Sequence, residues 1–568
     1  MTGLAVAPGP IRIGNASGFY GDRFSAIAEM LAGGELDVLT GDYLAELTML
    51  ILGRDRLKDP SRGYAKTFLR QLETTLGPAL QAGVRLVTNA GGLNPAGLAE
   101  AIGGLADRLG LRVRIGYVTG DDVLADAGRL GLGDALTANV YLGGWGIAEC
   151  LAAGADIVVT GRVTDASLVL GPAAAHFGWA RDDYDQLAGA VVAGHVIECG
   201  TQATGGNYAF FSEVSDLERP GFPIAEVHAD GSSVITKHPG TGGAVTVGTV
   251  TAQLLYEIAG PRYAGPDVTA RFDSVRLRQD GPDQVSITAV TGEPPPPTYK
   301  VSLNSVGGLR NEVNFVLTGL DIEGKAALVR RQLATEVPAE AEWTLLRTDR
   351  PDADNEAGAS ALLRCVVRGS DPELIGRRFS DAAVQLALGS YPGFHLTAPP
   401  GSATPYGVFR AGYLPVAEVR HIAVLPDGSE VNVPPATDFA ELADVAEPDL
   451  PGWSGRWATR RVPLGTVLGA RSGDKGGSAN VGVWVGDERM LDWLAATLTV
   501  ERLRELLPET AELPITRYLL PNLLALNFVI EDLLGLGVAY NARFDPQAKA
   551  LGEWLRSRTI EIPEEFLP

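Results

Sequence analysis

A chain of 568 residues, 45% hydrophobic and 20% charged, has a globular composition with room for two or three domains. Its formal net charge of -22 excludes nucleic acid or an anionic membrane surface as a bulk partner, though not a small anionic ligand held by local donors. Three cysteines without a CxxC pair, no basic-plus-apolar leader in residues 1–10 and no apolar run of about 18 residues argue against a disulfide scaffold, a secretory leader and a membrane span, so the expected location is the cytoplasm.

Over the first 210 residues, short β-type runs at 11–14, 36–40, 84–88, 112–117 and 156–160 alternate with helical patterns at 23–31, 43–53, 64–80, 96–109 and 145–153. Such alternation predicts βαβ crossovers and a mostly parallel sheet, with ligands expected beyond the C-terminal strand ends. The loops there are Gly- and Asn-rich. The first strand is followed by Gly14-Asn15-Ala16-Ser17-Gly18-Phe19-Tyr20-Gly21-Asp22 and the third by Asn89-Ala90-Gly91-Gly92-Leu93-Asn94-Pro95. The fourth leads into Thr119-Gly120-Asp121-Asp122 and the fifth into Gly161-Arg162-Val163-Thr164-Asp165-Ala166-Ser167. Each loop feeds a helix start, where free N–H groups suit a phosphate or carboxylate. Asp22, Asn94, Asp121 and Thr164 are equally well typed as plain N-caps. Four such loops on one sheet edge point to a site, with Asn15, Ser17, Asn89, Gly91, Gly92, Asn94, Asp121 and Arg162 as candidate ligand contacts.

A helical run follows, apolar on nearly every side from 187 to 197, and it ends in Gly194-His195-Val196-Ile197-Glu198-Cys199-Gly200-Thr201-Gln202-Ala203-Thr204-Gly205-Gly206-Asn207-Tyr208. The i, i+3, i+4 spacing puts His195, Glu198 and Cys199 on one face. They are candidates for acid/base work with a nucleophile, or for a soft-metal site. The negative end of the helix dipole would raise a Cys199 thiol and favour a cationic His195, so acid/base work by His195 and Glu198 ranks above nucleophilic work by Cys199. A core His–Glu pair bracing a buried helix end is the plain structural alternative. Asp165 is a further proton-handling candidate, and Gln202 and Asn207 offer substrate contacts from the loop.

From 211 onward the text turns strand-rich, with strands predicted at 245–253, 274–278, 285–290, 299–304 and 312–318. A helix at 325–333, strands at 343–348 and 361–367 and a helix at 380–388 complete a ββαββα order. Lys237, in Lys237-His238-Pro239-Gly240-Thr241, is a candidate cation for the same cleft, although a surface turn explains it as well. The acidic, Pro-rich stretch 431–457 reads as a linker. Beyond it, strands at 462–470 and 480–486 flank Arg471-Ser472-Gly473-Asp474-Lys475-Gly476-Gly477-Ser478, a Gly/Ser turn on which Arg471 and Lys475 form a candidate anion nest. A helix at 487–507, strands at 515–520 and 525–531 and a helix at 546–558 repeat the ββαββα order. No Walker loop, G-x-S-x-G elbow or H-E-x-x-H helix occurs.

The motifs Ile13-Gly14-Asn15-Ala16-Ser17-Gly18-Phe19-Tyr20-Gly21-Asp22, Thr88-Asn89-Ala90-Gly91-Gly92-Leu93-Asn94-Pro95 and Thr160-Gly161-Arg162-Val163-Thr164-Asp165-Ala166-Ser167, with the stretch through Asn207, resemble the acyclic terpene utilisation family AtuA. Arg471-Ser472-Gly473-Asp474-Lys475-Gly476 resembles the small ferredoxin-fold module often attached to it. The resemblance implies an α/β Gly-rich lobe at 1–210, an α+β second lobe at 211–445 and a ferredoxin-fold domain at 460–568. It also implies bacterial breakdown of branched isoprenoid acids, such as citronellyl and geranyl compounds, as CoA thioesters. The resulting expectation is a hydratase, dehydratase or C–C lyase on a branched acyl-CoA or related carboxylate, forming a homo-oligomer, with no metal or other cofactor. Asn89 and Arg162 would polarise the substrate carbonyl. Two rivals stand beside it: a non-catalytic scaffold assembling with a carboxylase or hydratase, and a metal-dependent hydrolase using His195, Glu198 and Cys199.

Overall fold

Short Val/Ile/Leu-rich runs form the spine of the molecule because both of their faces are covered, which favours continuous apolar strands over alternating ones. They are β1 (Ile11–Asn15), β2 (Val38–Gly41), β3 (Arg85–Thr88), β4 (Ile115–Thr119) and, after β5 (Thr137–Val140), β6 (Ile157–Thr160). The computed structural model describes residues 8–454 and 457–568, apart from the side chains of residues 46 and 47. The leader reading for residues 1–10 and the linker reading for 431–457 fall partly outside these. β1, β2, β3, β6 and β4 pair in parallel in that order. Antiparallel strands extend both flanks to make, among the described residues, an 11-stranded sheet. The predicted βα alternation is present, with α1 (Ala26–Gly33), α2 (Glu46–Lys58), α3 (Lys66–Ala82), α4 (Pro95–Leu109) and α5 (Trp145–Ala152) close to their expected places. α6 (Ser167–Phe177) and α7 (Tyr184–Ile197) complete this part, and α7 is buried at every residue from Leu187 to Ile197.

Several local expectations are corrected. Residues 245–253 are not a strand: Val247–Leu254 is a helix, because Thr246 and Thr249 form a reciprocal capping box that outweighs the β-branched composition. The strands expected at 299–304 and 312–318 are one 21-residue strand, Thr298–Thr318. Its first part pairs with β5, which the sequence reading missed, and its later part pairs with Ser360–Gly369. In the C-terminal part, the strand expected at 462–470 is split into Thr459–Pro463 and Gly469–Lys475. Arg471 to Lys475 therefore lie in a β-ladder with Ser478–Trp484, and the turn is confined to Gly476 and Gly477. The helix expected at 487–507 breaks at Leu498, where Thr499 caps a second helix, Val500–Leu506.

The chain divides into two compact units. One holds the chain through Asn304 together with Phe409–Val538 and Gln547–Pro568. In it the strands Gly469–Lys475, Ser478–Trp484, Ala525–Ile530 and Ile515–Leu520 form a four-stranded antiparallel sheet with its own apolar core. The other, Ser305–Val408 with Ala539–Pro546, is built on Ser360–Gly369 and its strand partners, packed by Phe315, Leu363 and Phe379. Among the described residues, no helix is long and apolar enough to cross a membrane.

Candidate functional site

The end of α7 and the C-terminal ends of the parallel strands meet, as the strand-end rule requires. Gly18, in the loop after β1, lies so close to this helix end that an added Cβ would stand 2.7 Å from the carbonyl carbon of Cys199. Only glycine permits that approach. Asn15, buried beside it, donates to the Glu198 carbonyl at 3.3 Å, and its Oδ1 accepts the Ser17 N–H at 2.9 Å. Ser17 Oγ then donates to the Asp42 carbonyl at 2.9 Å. These contacts fix the first loop against the helix end.

His195 and Glu198 are brought together: Nδ1 and Oε1 are 3.2 Å apart, with side-chain exposures of 2% and 10%. Neither imidazole nitrogen is aligned for a hydrogen bond with a described residue, although the Gln253 backbone lies near enough to favour the charged form. Glu198 Oε2 is likewise buried without a partner. Burial, assisted by the Lys475 ammonium, brings the His195 pKa down to about 4. This reverses the sequence expectation of a cationic His195, because desolvation over the whole ring outweighs a dipole effect at the helix end. Burial, with the Asp165 and Glu257 carboxylates nearby, pushes Glu198 well above the usual carboxylate range. The pair is thus an imidazole that burial makes harder to protonate beside a carboxyl that burial makes harder to ionise. Burial and the Glu198, Glu257 and Asp42 carboxyls push the Cys199 thiol up, so a thiolate nucleophile is disfavoured.

Behind the pair lies a tightly wired layer. Asp42 is buried and accepts from Asn89 Nδ2 at 2.6 Å and from the Leu44 N–H at 3.1 Å. Burial and Asp165 raise its pKa well above normal. Asn89 Oδ1 accepts the Tyr43 N–H at 2.7 Å, so both ends of this side chain are engaged. Arg162 donates to the Leu44 carbonyl at 3.0 Å and to Asp165 Oδ1 at 2.8 Å, and lies 4.3 Å over the Tyr141 ring. Asp121 receives the Arg162 N–H at 2.9 Å and Asn139 Nδ2 at 2.8 Å, and burial lifts its pKa to about 7. Asn89 and Arg162, to which the sequence reading gave a substrate carbonyl, are thus hydrogen-bonded to Asp42 and Asp165.

The remaining candidates separate into near and far. Gln202 Oε1 accepts from Arg471 Nη2, and Lys475 Nζ donates to the Glu257 carbonyl at 2.8 Å, 5.8 Å from the Tyr263 ring. That ring is 4.9 Å from the His195 ring. Arg471 and Lys475 thus come to the site as strand residues, paired with Gly482 and Ser478, and not on the turn itself. Gly91 and Gly92 are packing glycines: added Cβ atoms would meet the Thr160 carbonyl oxygen at 2.4 Å and Leu52 Cδ1 at 2.4 Å. Asn94 caps α4 through the Gly97 N–H at 2.9 Å. Lys237 turns away to Asp283, 3.0 Å distant, and to the Thr241 carbonyl. Asn207 is exposed, in a left-handed conformation with φ 57°.

Sequence reasoning missed Asp42, Tyr256, Glu257, Tyr263 and Lys549. Asp42 follows β2, so the strand-end rule applied to all five strands finds it. The others carry no local signal, because the backbone carrying three of them is held by a remote part of the chain. Asn480 Nδ2 donates to the Leu255 carbonyl at 2.7 Å and its Oδ1 accepts the Glu257 N–H at 2.9 Å. Among the described residues, no cluster of three or more His, Cys, Asp or Glu side chains is arranged to hold a metal ion.

A model of the acyclic terpene utilisation family protein AtuA matches residues 11–425, and a model of the AtuA ferredoxin-like domain matches residues 462–561. No curated protein and no solved structure matches the chain.

Proposed function

The chain belongs to the AtuA family of acyclic terpene utilisation proteins, and from that membership we propose that it is a catabolic enzyme acting on a branched, isoprenoid-type acyl group, carried as a CoA thioester or a related carboxylate. The reaction class is hydration, dehydration or C–C cleavage by proton transfer. One observation carries this reading: a buried imidazole and a buried carboxyl, His195 and Glu198, stand 3.2 Å apart, with burial lowering the proton affinity of the first and raising that of the second. In a hydration, the imidazole takes a proton from water as its oxygen adds to Cβ, and the carboxyl delivers a proton to Cα. Dehydration is the reverse. Cys199 has no part in this scheme, and Arg162 with Asn89 keeps Asp165 and Asp42 in place around the pair.

Assay of the purified full-length chain against a panel of branched enoyl-CoA and 3-hydroxyacyl-CoA thioesters tests the reading. Wild type turns over at least one member of the panel, and Glu198→Gln, which keeps shape but cannot deliver the proton, lowers that turnover by about 10²–10⁴-fold. Undiminished turnover by a folded Glu198→Gln variant overturns the role. If wild type turns over none of these thioesters but co-purifies with a carboxylase or hydratase, the scaffold alternative takes its place.

A further inference from the structure

Beside the His195–Glu198 pair lies a group of cations that the acid–base scheme does not use. Arg471 is 6% exposed, stacks 4.1 Å over the Tyr256 ring, gives Nη2 to Gln202 and keeps a buried Nε without a partner. Lys475 projects from the same strand, and its charge acts on both His195 and Glu198. Lys549, exposed at the rim, donates to the Tyr256 hydroxyl at 2.5 Å. The C-terminal sheet is built for close contact with this wall. An added Cβ on Gly473 would stand 2.5 Å from the Tyr256 ring, and one on Gly482 would stand 2.4 Å from Leu255 Cβ. Glu257, clamped there by Asn480, holds a left-handed backbone with φ 56°, a conformation that a non-glycine residue keeps only under constraint from its surroundings.

We propose that the C-terminal ferredoxin-like domain forms one wall of the site and that its Arg471 and Lys475 receive the carboxylate of an anionic substrate beside His195 and Glu198. This inference rests on the acid–base reading for the position of the reacting group. Arg471 Nε, Glu198 Oε2 and both imidazole nitrogens are buried polar atoms without a hydrogen-bond partner among the described residues. A carboxylate offers the planar guanidinium fork two oxygens in one plane, and titration against phosphate separates the two anions.

Isothermal titration of the full-length chain with 3-methylbut-2-enoate, its neutral amide and inorganic phosphate tests this. Wild type binds the carboxylate in preference to the other two, and Arg471→Gln weakens that binding at least ~10-fold, the loss of one charge-assisted hydrogen bond. Lys475→Met, which leaves the Arg471–Gln202 contact in place, has the same effect and decides the case if Arg471→Gln does not fold. His195→Asn retains carboxylate binding. No carboxylate binding by wild type, equal binding of the amide or of phosphate, or unchanged affinity in Lys475→Met overturns the inference. Turnover retained in His195→Asn, with binding lost in Lys475→Met, overturns the acid–base reading and leaves the carboxylate wall standing.

Discussion

His195 and His421 are both buried in the same compact unit, and they differ in what surrounds them. His195 is brought down to about 4 and His421 to about 3, in each case first by burial, and each has a ring nitrogen without a hydrogen-bond partner. His421 borders a cavity of about 10 Å³, the size of one water molecule, shared with Trp145, Arg181, Asp267 and Tyr299. Gly146 packs so tightly on the ring that an added Cβ would lie 2.5 Å from His421 Nε2. His195 has an acid 3.2 Å away, two further carboxylates acting on that acid and a cation acting on both. A perturbed pKa therefore does not by itself mark a site in this fold. What separates the two is place and contact: only His195 has a carboxyl oxygen 3.2 Å from its ring, at the C-terminal edge of the parallel strands.

The largest expected effect breaks the two apart by activity. His195→Asn lowers turnover by about 10²–10⁴-fold, whereas His421→Asn leaves turnover per folded molecule within about twofold. Equal losses from the two variants would remove the distinction. A smaller effect separates them by packing. Gly18→Ala forces a methyl group onto the Cys199 backbone, where an added Cβ stands 2.7 Å from the carbonyl carbon, and Gly146→Ala forces one onto the His421 ring. Each costs about 1–3 kcal/mol of stability by overpacking, read by chemical denaturation. Only Gly18→Ala also lowers turnover, because only there does the displaced backbone carry the Glu198 carboxyl. Loss of turnover in a folded Gly146→Ala variant would mean that the His421 cavity belongs to the site.

The same contrast explains what the sequence could disclose. The parallel strands and their helices were legible because each element carries its own punctuation: apolar runs of strand length, Gly-rich ends, and caps such as Asn94 before Pro95. The i, i+3 pairing of His195 with Glu198 was legible for the same reason, since a helix fixes it locally. Residues 245–253 were misread because Val and Thr favour strands on average, and one capping box decides otherwise. The Tyr256–Tyr263 wall was not legible at all. Its place depends on Asn480, and on Asn527, which reaches the Ile258 and Ala259 carbonyls from 269 and 268 residues away. The charge state of His195 was misjudged for a related reason: a helix-end dipole can be read from sequence, but the depth of burial that opposes it is a property of the packed fold.

The smallest effect is one of pH, and it comes from the carboxyl that shares the His421 cavity. Burial raises the Asp267 pKa to about 6, opposed by the Gly144 N–H, which it accepts at 2.7 Å, and by Arg181. In the unfolded chain this carboxyl titrates near ~3.9, so on raising the pH the unfolded state loses the proton first. Between pH ~4 and ~6 the folded state holds more protons, and stability falls with rising pH by roughly 3 kcal/mol in total. Asp267→Asn keeps an acceptor for the Gly144 N–H and has no proton to lose. The variant therefore gains on wild type across that window, and its advantage is constant above it. His421 has the opposite sign. Its folded pKa of about 3 lies below the unfolded value of ~6.5, so its contribution is complete above ~6.5 and is lost as the pH falls. In wild type the two slopes oppose each other between pH ~4 and ~6, and Asp267→Asn uncovers the histidine slope. His195 and Asp121 add the same two signs to both chains and cancel in the difference. Denaturant unfolding of both chains from pH 4.5 to 7.5 measures it. A stability difference that does not change with pH would mean that Asp267 is ionised throughout and that its cavity is open to water, and the contrast with the His195 cluster would then lose its closed member.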